Sequence, residues 1–206
     1  LNIGGIANIC HIPSNSKIVD VIGFDTGPGM SLIDECAKMF WNDRMDKNCR
    51  YSMKGNINSE LLHFLMENNY IRQEPPKSTG RSDFGIGMLN SIKVKYEHLV
   101  REDVIRTLVY FSAKTIAQSI NGVIGDKIYD FYINGGGKQH KLLVDDILSL
   151  LNNYNHKDLH ELNVDSDFKE AFLMCVLGAA NLLNIKSNVP SVTGAKYGVI
   201  CGEQYE

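Results

Sequence analysis

The chain has 206 residues, of which 44% are hydrophobic and 22% are charged, a composition typical of a globular protein with a sizeable core. Its formal net charge of -3 gives no electrostatic reason to expect a nucleic acid or an anionic membrane as a partner. The five cysteines show no metal-ligand spacing, and neither a signal peptide nor a long apolar span is recognisable. We therefore expect reduced thiols in a cytoplasmic protein.

The first forty residues predict two strands and a helix. Residues 1–12 and 17–24 are rich in Ile and Val and are separated by a turn cluster. Gly4 and Gly5 lie inside the first predicted strand, where glycine marks a bulge or a close approach of a ligand to the backbone. Residues 30–41 carry apolar side chains at three- and four-residue spacing, which predicts a helix with one buried face.

The heptapeptide 23–29, Gly-Phe-Asp-Thr-Gly-Pro-Gly, predicts a strand that ends in a tight turn before a helix. Gly27 and Gly29 permit backbone torsions that other residues resist, and free N–H groups at the helix start favour an anion. Asp25 would then lie at the carboxyl end of the strand, where open α/β sheets bind ligands. The alternative is an Asp that only satisfies turn amides.

Residues 42–100 predict an insertion of helix and loop that lies outside the sheet. A short helix fits residues 59–67, which place several apolar side chains on one side. Residues 74–81, Glu-Pro-Pro-Lys-Ser-Thr-Gly-Arg, form a stiff, basic, hydroxyl-rich loop because paired prolines hold the chain extended. The alternative is a solvated surface loop, which the Lys/Arg pair alone would leave favoured.

Regular structure resumes at residue 101. A long apolar face predicts a helix that Gly125 ends, and residues 128–133 predict a strand. Asn-Gly-Gly-Gly at 134–137 follows directly, and residues 139–151 predict another helix. Such a junction lets the backbone lie against a ligand, although it matches neither the Walker A loop nor the GxGxxG fingerprint.

The last segment predicts one long helix and a final short strand. Residues 165–167 are suited to cap a helix over 168–183, whose apolar side chains form a wide stripe. Glu170 lies in the first turn, where a carboxylate suits the helix dipole without any chemistry. Residues 190–195 predict a loop, and residues 199–201 predict the strand.

Five stretches in this order resemble the anhydro-N-acetylmuramic acid kinases, which belong to the actin-like ATPase superfamily. The stretches span nearly the whole chain and are residues 1–8, 23–29, 75–81, 134–137 and 190–195. The resemblance implies an α/β fold, an RNase H-like lobe with a mixed sheet flanked by helices and a helical and loop insertion at about 42–100. The chain opens at Leu1 inside an apolar segment and has no Gly-Thr-Ser-x-Asp-Gly loop, so we expect the C-terminal lobe of a longer protein.

The resemblance implies an ATP-dependent kinase of bacterial cell-wall recycling. Its members add water across the 1,6-anhydro bond of anhydro-N-acetylmuramic acid and phosphorylate the 6-oxygen, which implies ATP and Mg²⁺ as cofactors. The partners would be the amino sugar and ATP, with no nucleic acid or membrane, and the oligomeric state, a homodimer included, stays open. By motif match, Asp25 would be the general base that activates the water.

The other implied roles fall into two groups. The nucleotide- and phosphate-binding residues would be Gly4, Gly5, Gly27, Gly29, Gly135, Gly136 and Gly137. The residues that line the substrate or the cleft would be Asn8, Lys77, Ser78, Thr79, Arg81 and Glu170.

Three departures from the family pattern bear on activity. Met30 stands where Asn usually follows Gly-Pro-Gly, residues 46–49 replace an Asp-x-Asp-Gly motif, and Lys138 follows the three glycines. They leave open a degenerate relative that binds nucleotide or sugar without turnover, besides a non-enzymatic module of the same fold. Because half of the cleft would be missing, we expect the isolated chain to lack kinase activity.

Overall fold

A computed structural model of the protein describes residues 1–162 and 168–204. Its strands form two ladders. The first is antiparallel, in the order β1-β2-β3, and the second is a parallel pair, β4-β5. The strands are β1 (Asn2–Ile3), β2 (Ile6–His11), β3 (Ile22–Pro28), β4 (Tyr129–Tyr132) and β5 (Tyr154–Lys157).

A parallel bridge between Asn2 and Asn134 joins the two ladders. The N–H of Ile3 donates to the carbonyl of Asn134 at 2.8 Å, and the N–H of Asn134 donates to the carbonyl of Leu1 at 2.8 Å. The strands therefore follow one another as β3-β2-β1-β4-β5. This confirms the α/β class and connects the first predicted strand with the strand at 128–133.

The central element of the core is a 24-residue helix. The helices are α1 (Ser31–Trp41), α2 (Ser59–Met66), α3 (Ile86–Lys95), α4 (Arg101–Ile124), α5 (Lys141–Leu150), α6 (Lys169–Leu182) and α7 (Pro190–Thr193). α4 contacts β2, β3, α1, α2 and α5, and it buries apolar side chains along its length, including Leu108, Phe111 and Ile116. Arg106 and Asp146 tie α4 to α5 through two hydrogen bonds of 2.7 and 3.0 Å.

The N-terminal region differs from the sequence-based expectation in two ways. The predicted strand over 1–12 is interrupted at Gly4 and Gly5, which form the turn between β1 and β2. The next strand does not begin at residue 17, because residues 18–20 form a 3-10 turn. It runs over Ile22–Pro28 instead, so Asp25 lies within β3, paired with Asn8, and not at the end of the strand.

The remaining elements agree with the sequence in type, with some exceptions. The helices predicted from residues 30, 59, 101, 139 and 168 are present, and residues 42–100 contribute no strand among the described part of the chain. α3 and β5 were not predicted, and residues 190–193 form α7 where a loop was predicted. Residues 199–201 form no strand, and the capping residues 165–167 lie outside the described residues. α6 exposes its apolar stripe, including Phe172 and Leu182. Within residues 1–162 and 168–204, no helix is both long and apolar enough to cross a membrane.

Candidate active site

The turn between β1 and β2 is fixed to the start of α1 by three hydrogen bonds. The N–H groups of Gly29 and Ser31 donate to the carbonyl of Gly5 at 2.9 and 3.0 Å, and that of Met30 donates to the carbonyl of Gly4 at 2.9 Å. A side chain on Gly29 would place its Cβ 2.4 Å from the Gly4 oxygen, so glycine is required. Of the N–H groups at the helix start that were predicted to be free for an anion, those of Met30 and Ser31 are therefore already occupied.

The carboxylate of Asp25 is held through one of its two oxygens. The Ser78 hydroxyl and the Thr79 N–H donate to Oδ2 at 2.8 and 2.9 Å. The backbone of Asp25 is also fixed, since its N–H donates to the Lys77 carbonyl at 3.2 Å and its carbonyl accepts from the Tyr70 hydroxyl at 2.7 Å. Within the described residues Oδ1 accepts no hydrogen bond, so it is the oxygen that can receive a proton.

The ammonium group of Lys77 anchors the loop that carries Ser78 and Thr79. It donates to the carbonyls of Tyr70 and Ile71 at 3.2 and 3.3 Å. It also lies 4.9 Å from the centre of the Tyr70 ring, where a cation is attracted to the aromatic face. Burial lowers the pKa of Lys77. The contacts of this charge are thus with backbone carbonyls and aromatic rings of the protein.

A pocket of about 610 Å³ opens beside Asp25. Asn8, Lys77 and Ser78 line it together with residues 192–194 of α7 and its cap. A larger groove, of about 710 Å³, lies between the end of α4 and strands β2 and β4, and contains none of the predicted site residues. The structure thus brings Asn8, Asp25 and Ser78, which are distant in sequence, to one pocket.

The loop from Lys77 ends at the turn between β1 and β2. Phe84 is fully buried, and its N–H donates to the Gly80 carbonyl at 3.1 Å. Between these anchors, the Nε and Nη2 atoms of Arg81 lie 3.1 Å from the position that a Cβ of Gly5 would take. Arg81 therefore lies at the predicted phosphate turn, at the opposite end of the same loop from Lys77.

The three glycines after β4 have different surroundings. Gly135 has a φ of +85° and ψ of 166°, and a Cβ there would lie 2.5 Å from the Ile3 carbonyl. A Cβ on Gly137 would lie 2.3 Å from the Ile3 side chain, whereas one on Gly136 would meet nothing within 4 Å. Gly135 and Gly137 therefore pack against β1, and only Gly136 faces open space.

Two further predicted residues are Gly27, in the same strand as Asp25, and Glu170, on α6. Gly27 adopts a φ of +137° inside β3, and a Cβ there would lie 3.2 Å from the Ile71 side chain. Glu170 is exposed in the first turn of α6. The neighbouring Lys169 donates to the Asn2 side chain at 2.9 Å, which places the start of α6 beside β1.

An acidic residue that was not predicted lies close to Arg81. The Oδ1 atom of Asp34, on α1, is buried and has no hydrogen-bond partner. Burial raises the pKa of Asp34 to about 6, while the charges of Arg81 and His140 oppose that shift. The available signal in the sequence was a carboxylate among the otherwise apolar positions of an amphipathic helix.

A buried histidine supports the glycine junction from its other side. His140 caps α5, because its Nδ1 accepts the N–H of Leu143 at 3.2 Å, and its Nε2 lies 3.3 Å from Asp46. Burial alone would raise the pKa of Asp46, but hydrogen bonds from His140, Ser52 and Tyr51 hold it below its ordinary value. The altered acidic stretch at 46–49 is thus tied to the start of α5.

Comparison with known proteins gives one family. The model of the anhydro-N-acetylmuramic acid kinase family matches residues 1–206. Relatives carrying that name come from Clostridioides difficile strain 630, 43% identical over 203 residues, and from Francisella tularensis subsp. novicida strain U112, 37% identical over 204 residues. The aligned regions cover 98% of this chain but 53% of each relative. The chain therefore spans about half the length of the curated relatives that it matches.

Proposed function

Because the chain belongs to the anhydro-N-acetylmuramic acid kinase family, we propose that it forms the lobe that carries the general base of such an enzyme. The enzyme would use ATP to open the 1,6-anhydro bond of anhydro-N-acetylmuramic acid and to phosphorylate the 6-oxygen, giving N-acetylmuramic acid 6-phosphate. The observation that carries this proposal is the carboxylate of Asp25, held at Oδ2 by Ser78 and Thr79 beside a pocket.

The lobe itself would be RNase H-like, with residues 42–100 inserted in it. Support comes from the strand sequence β3-β2-β1-β4-β5, in which β1 to β3 are antiparallel and β4 and β5 run parallel. Support for its being one lobe of a longer protein comes from the comparisons, in which the chain covers 53% of each relative. A second lobe would then complete the cleft.

In the proposed reaction Asp25 accepts a proton from the attacking water at Oδ1. The water oxygen forms a bond to C1 of the sugar, the bond between C1 and O6 breaks, and O6 attacks the γ-phosphorus of ATP as ADP leaves. A base must lie within hydrogen-bonding reach of the water that it deprotonates. The two hydrogen bonds to Oδ2 keep the carboxylate from rotating, so Oδ1 stays directed to one position.

The two glycine segments would hold the phosphates of the nucleotide. Gly4 and Gly5 directly follow β1, and Gly135 and Gly137 pack against Ile3 in that strand. Both segments thus meet at the same short strand. Phosphoryl transfer depends mainly on such positioning and on neutralisation of charge.

Mg²⁺ would supply part of that neutralisation when it is bound with the nucleotide. No group of three His, Cys, Asp or Glu residues able to hold a metal occurs in the described part of the chain. Mg²⁺ does not need one, because it is usually bound through one or two carboxylates together with substrate phosphates. Asp34, whose buried Oδ1 lacks a partner, fits the role of that carboxylate in this lobe.

Asp25→Asn in the full-length protein tests the proposal. Loss of a positioned base should lower kcat by about 10²–10⁴-fold, with nucleotide affinity and melting temperature near those of the wild type. Asp20→Asn is the matched control, since Asp20 accepts the N–H of Lys17 in an exposed turn. An Asp25→Asn variant that is fully active at saturating substrate would remove Asp25 from the mechanism.

A further inference from the structure

The guanidinium group of Arg81 lies near Asp34 but has no direct partner among the described residues. The side chain is exposed, and within residues 1–162 and 168–204 it makes no ion pair within 4.0 Å and donates no hydrogen bond. An arginine that stabilises a fold usually directs its planar fork at a carboxylate or at carbonyl oxygens. Arg106 in this chain does so with Asp146. Arg81 does not.

The position of Arg81 is nevertheless well defined. The buried Phe84 fixes the loop on one side, and a Cβ on Gly85 would lie 2.3 Å from the Arg81 carbonyl, so the backbone is closely packed there. The side chain lies against Gly5, where Nε and Nη2 would be 3.1 Å from a Cβ. A larger residue at position 5 would displace the guanidinium group.

The turn next to the guanidinium group offers donors and no free acceptors. The carbonyls of Gly4 and Gly5 already accept N–H groups from the start of α1. The N–H of Gly5 donates to no described group. A cation and an unused N–H group in close proximity form a site for an anion with several acceptor oxygens.

We propose that Arg81 and the Gly5 N–H bind the phosphoryl group that is transferred, a step that rests on the proposed function. The ligand chemistry is a terminal phosphate, which is the γ-phosphate of ATP before transfer and the 6-phosphate of the sugar after it. Ser78 and Thr79 of the same loop hold Asp25. One segment thus positions the proposed base and the proposed phosphate ligand relative to each other.

Arg81→Gln and Arg81→Lys in the full-length protein test this assignment. Loss of a charge-assisted contact should weaken ATP binding and product inhibition by N-acetylmuramic acid 6-phosphate by about 10- to 100-fold, with ADP affinity unchanged. Arg81→Lys should recover part of the loss, since it keeps the charge but not the fork. Arg44→Gln is the matched control, because Arg44 is exposed and makes no described hydrogen bond or ion pair.

Measurements with ATP and with the sugar 6-phosphate show which of the two phosphates Arg81 contacts. A loss of affinity for ATP but not for ADP places Arg81 on the γ-phosphate. A loss of affinity for the sugar phosphate places Arg81 on the product, and either result supports the assignment. Unchanged affinities for both, or equal losses for ATP and ADP, overturn it. A wild-type protein that binds ATP without phosphorylating the sugar would reject the proposed function, while the ATP and ADP comparison would still decide the role of Arg81.

Discussion

The carboxylate of Asp25 is fixed by residues that are remote in the sequence. A turn-capping Asp accepts N–H groups two or three residues further along the chain. Asp25 instead accepts the Thr79 N–H at 2.9 Å and the Ser78 hydroxyl at 2.8 Å. The local turn-capping alternative does not describe these contacts, because both donors belong to a loop more than fifty residues away.

Asp34 gives a pH-dependent prediction at the same scale. Folding raises its pKa from 3.8 to about 6, so the folded protein binds this proton more tightly than the unfolded chain does. The resulting stabilisation is complete below the ordinary carboxyl pKa and is lost as the pH rises through about 6. Asp34→Asn, which stays neutral, should therefore raise the melting temperature more at about pH 7.5 than at about pH 5, where the wild type keeps part of this stabilisation.

Thermal unfolding of both proteins at the two pH values measures this effect. Asp126→Asn is the control, because Asp126 is exposed and its carboxylate makes no described contact. A stabilisation of the Asp34 variant that is equal at both pH values would contradict the assigned cause, since a neutral packing effect does not follow the titration of a carboxyl group.

At the scale of elements, the sequence predicted those with a strong pattern. The apolar spacing of α1 and α4 is regular, and Gly125 ends α4 as expected. β1 has two residues, which are too few to show an apolar alternation. The sequence therefore predicted one long strand over β1, the turn after it and β2. β5 was missed because Tyr-Asn-His-Lys carries no apolar alternation. The loop contacts of Asp25 and Arg81 depend on tertiary packing, which no local pattern reports.

The glycine junction after β4 allows a paired test of structure and binding. Gly135 has a backbone conformation that is essentially restricted to glycine. The Cβ of a Gly135→Ala variant would also clash with the Ile3 carbonyl oxygen. The strain alone should cost about 1–3 kcal/mol, which lowers the melting temperature by about 2–4 °C per kcal/mol in a chain of this size. The bridge between β1 and β4 would weaken first.

Gly136→Ala is the matched variant, since its Cβ meets nothing within 4 Å. We expect its melting temperature to stay within about 2 °C of the wild type, because surface substitutions rarely exceed about 0.5 kcal/mol. If the nucleotide lies against this turn, the added methyl group should weaken ATP binding. Unchanged ATP affinity in Gly136→Ala would show that the nucleotide does not lie against this glycine.

At the scale of the whole molecule, β1 connects the segments that carry the predicted phosphate-binding glycines. β1 links the two ladders, precedes the turn at Gly4 and Gly5, and packs against Gly135 and Gly137. The pocket beside Asp25 is open, and the chain spans about half the length of its relatives. In-line transfer requires the base, the sugar and the triphosphate to be held together from both sides.

We therefore predict that the 206-residue chain alone does not phosphorylate anhydro-N-acetylmuramic acid. Joining it to the segment of the Clostridioides difficile relative that it does not cover should produce activity, because that segment would supply the remaining positioning groups. The measurement is ATP-dependent formation of the sugar 6-phosphate by the chain and by the fusion. The fusion with Asp25→Asn is the control for activity that arises elsewhere. Turnover by the isolated chain would show that this lobe holds every group the reaction needs, and the two-lobed cleft would have to be abandoned.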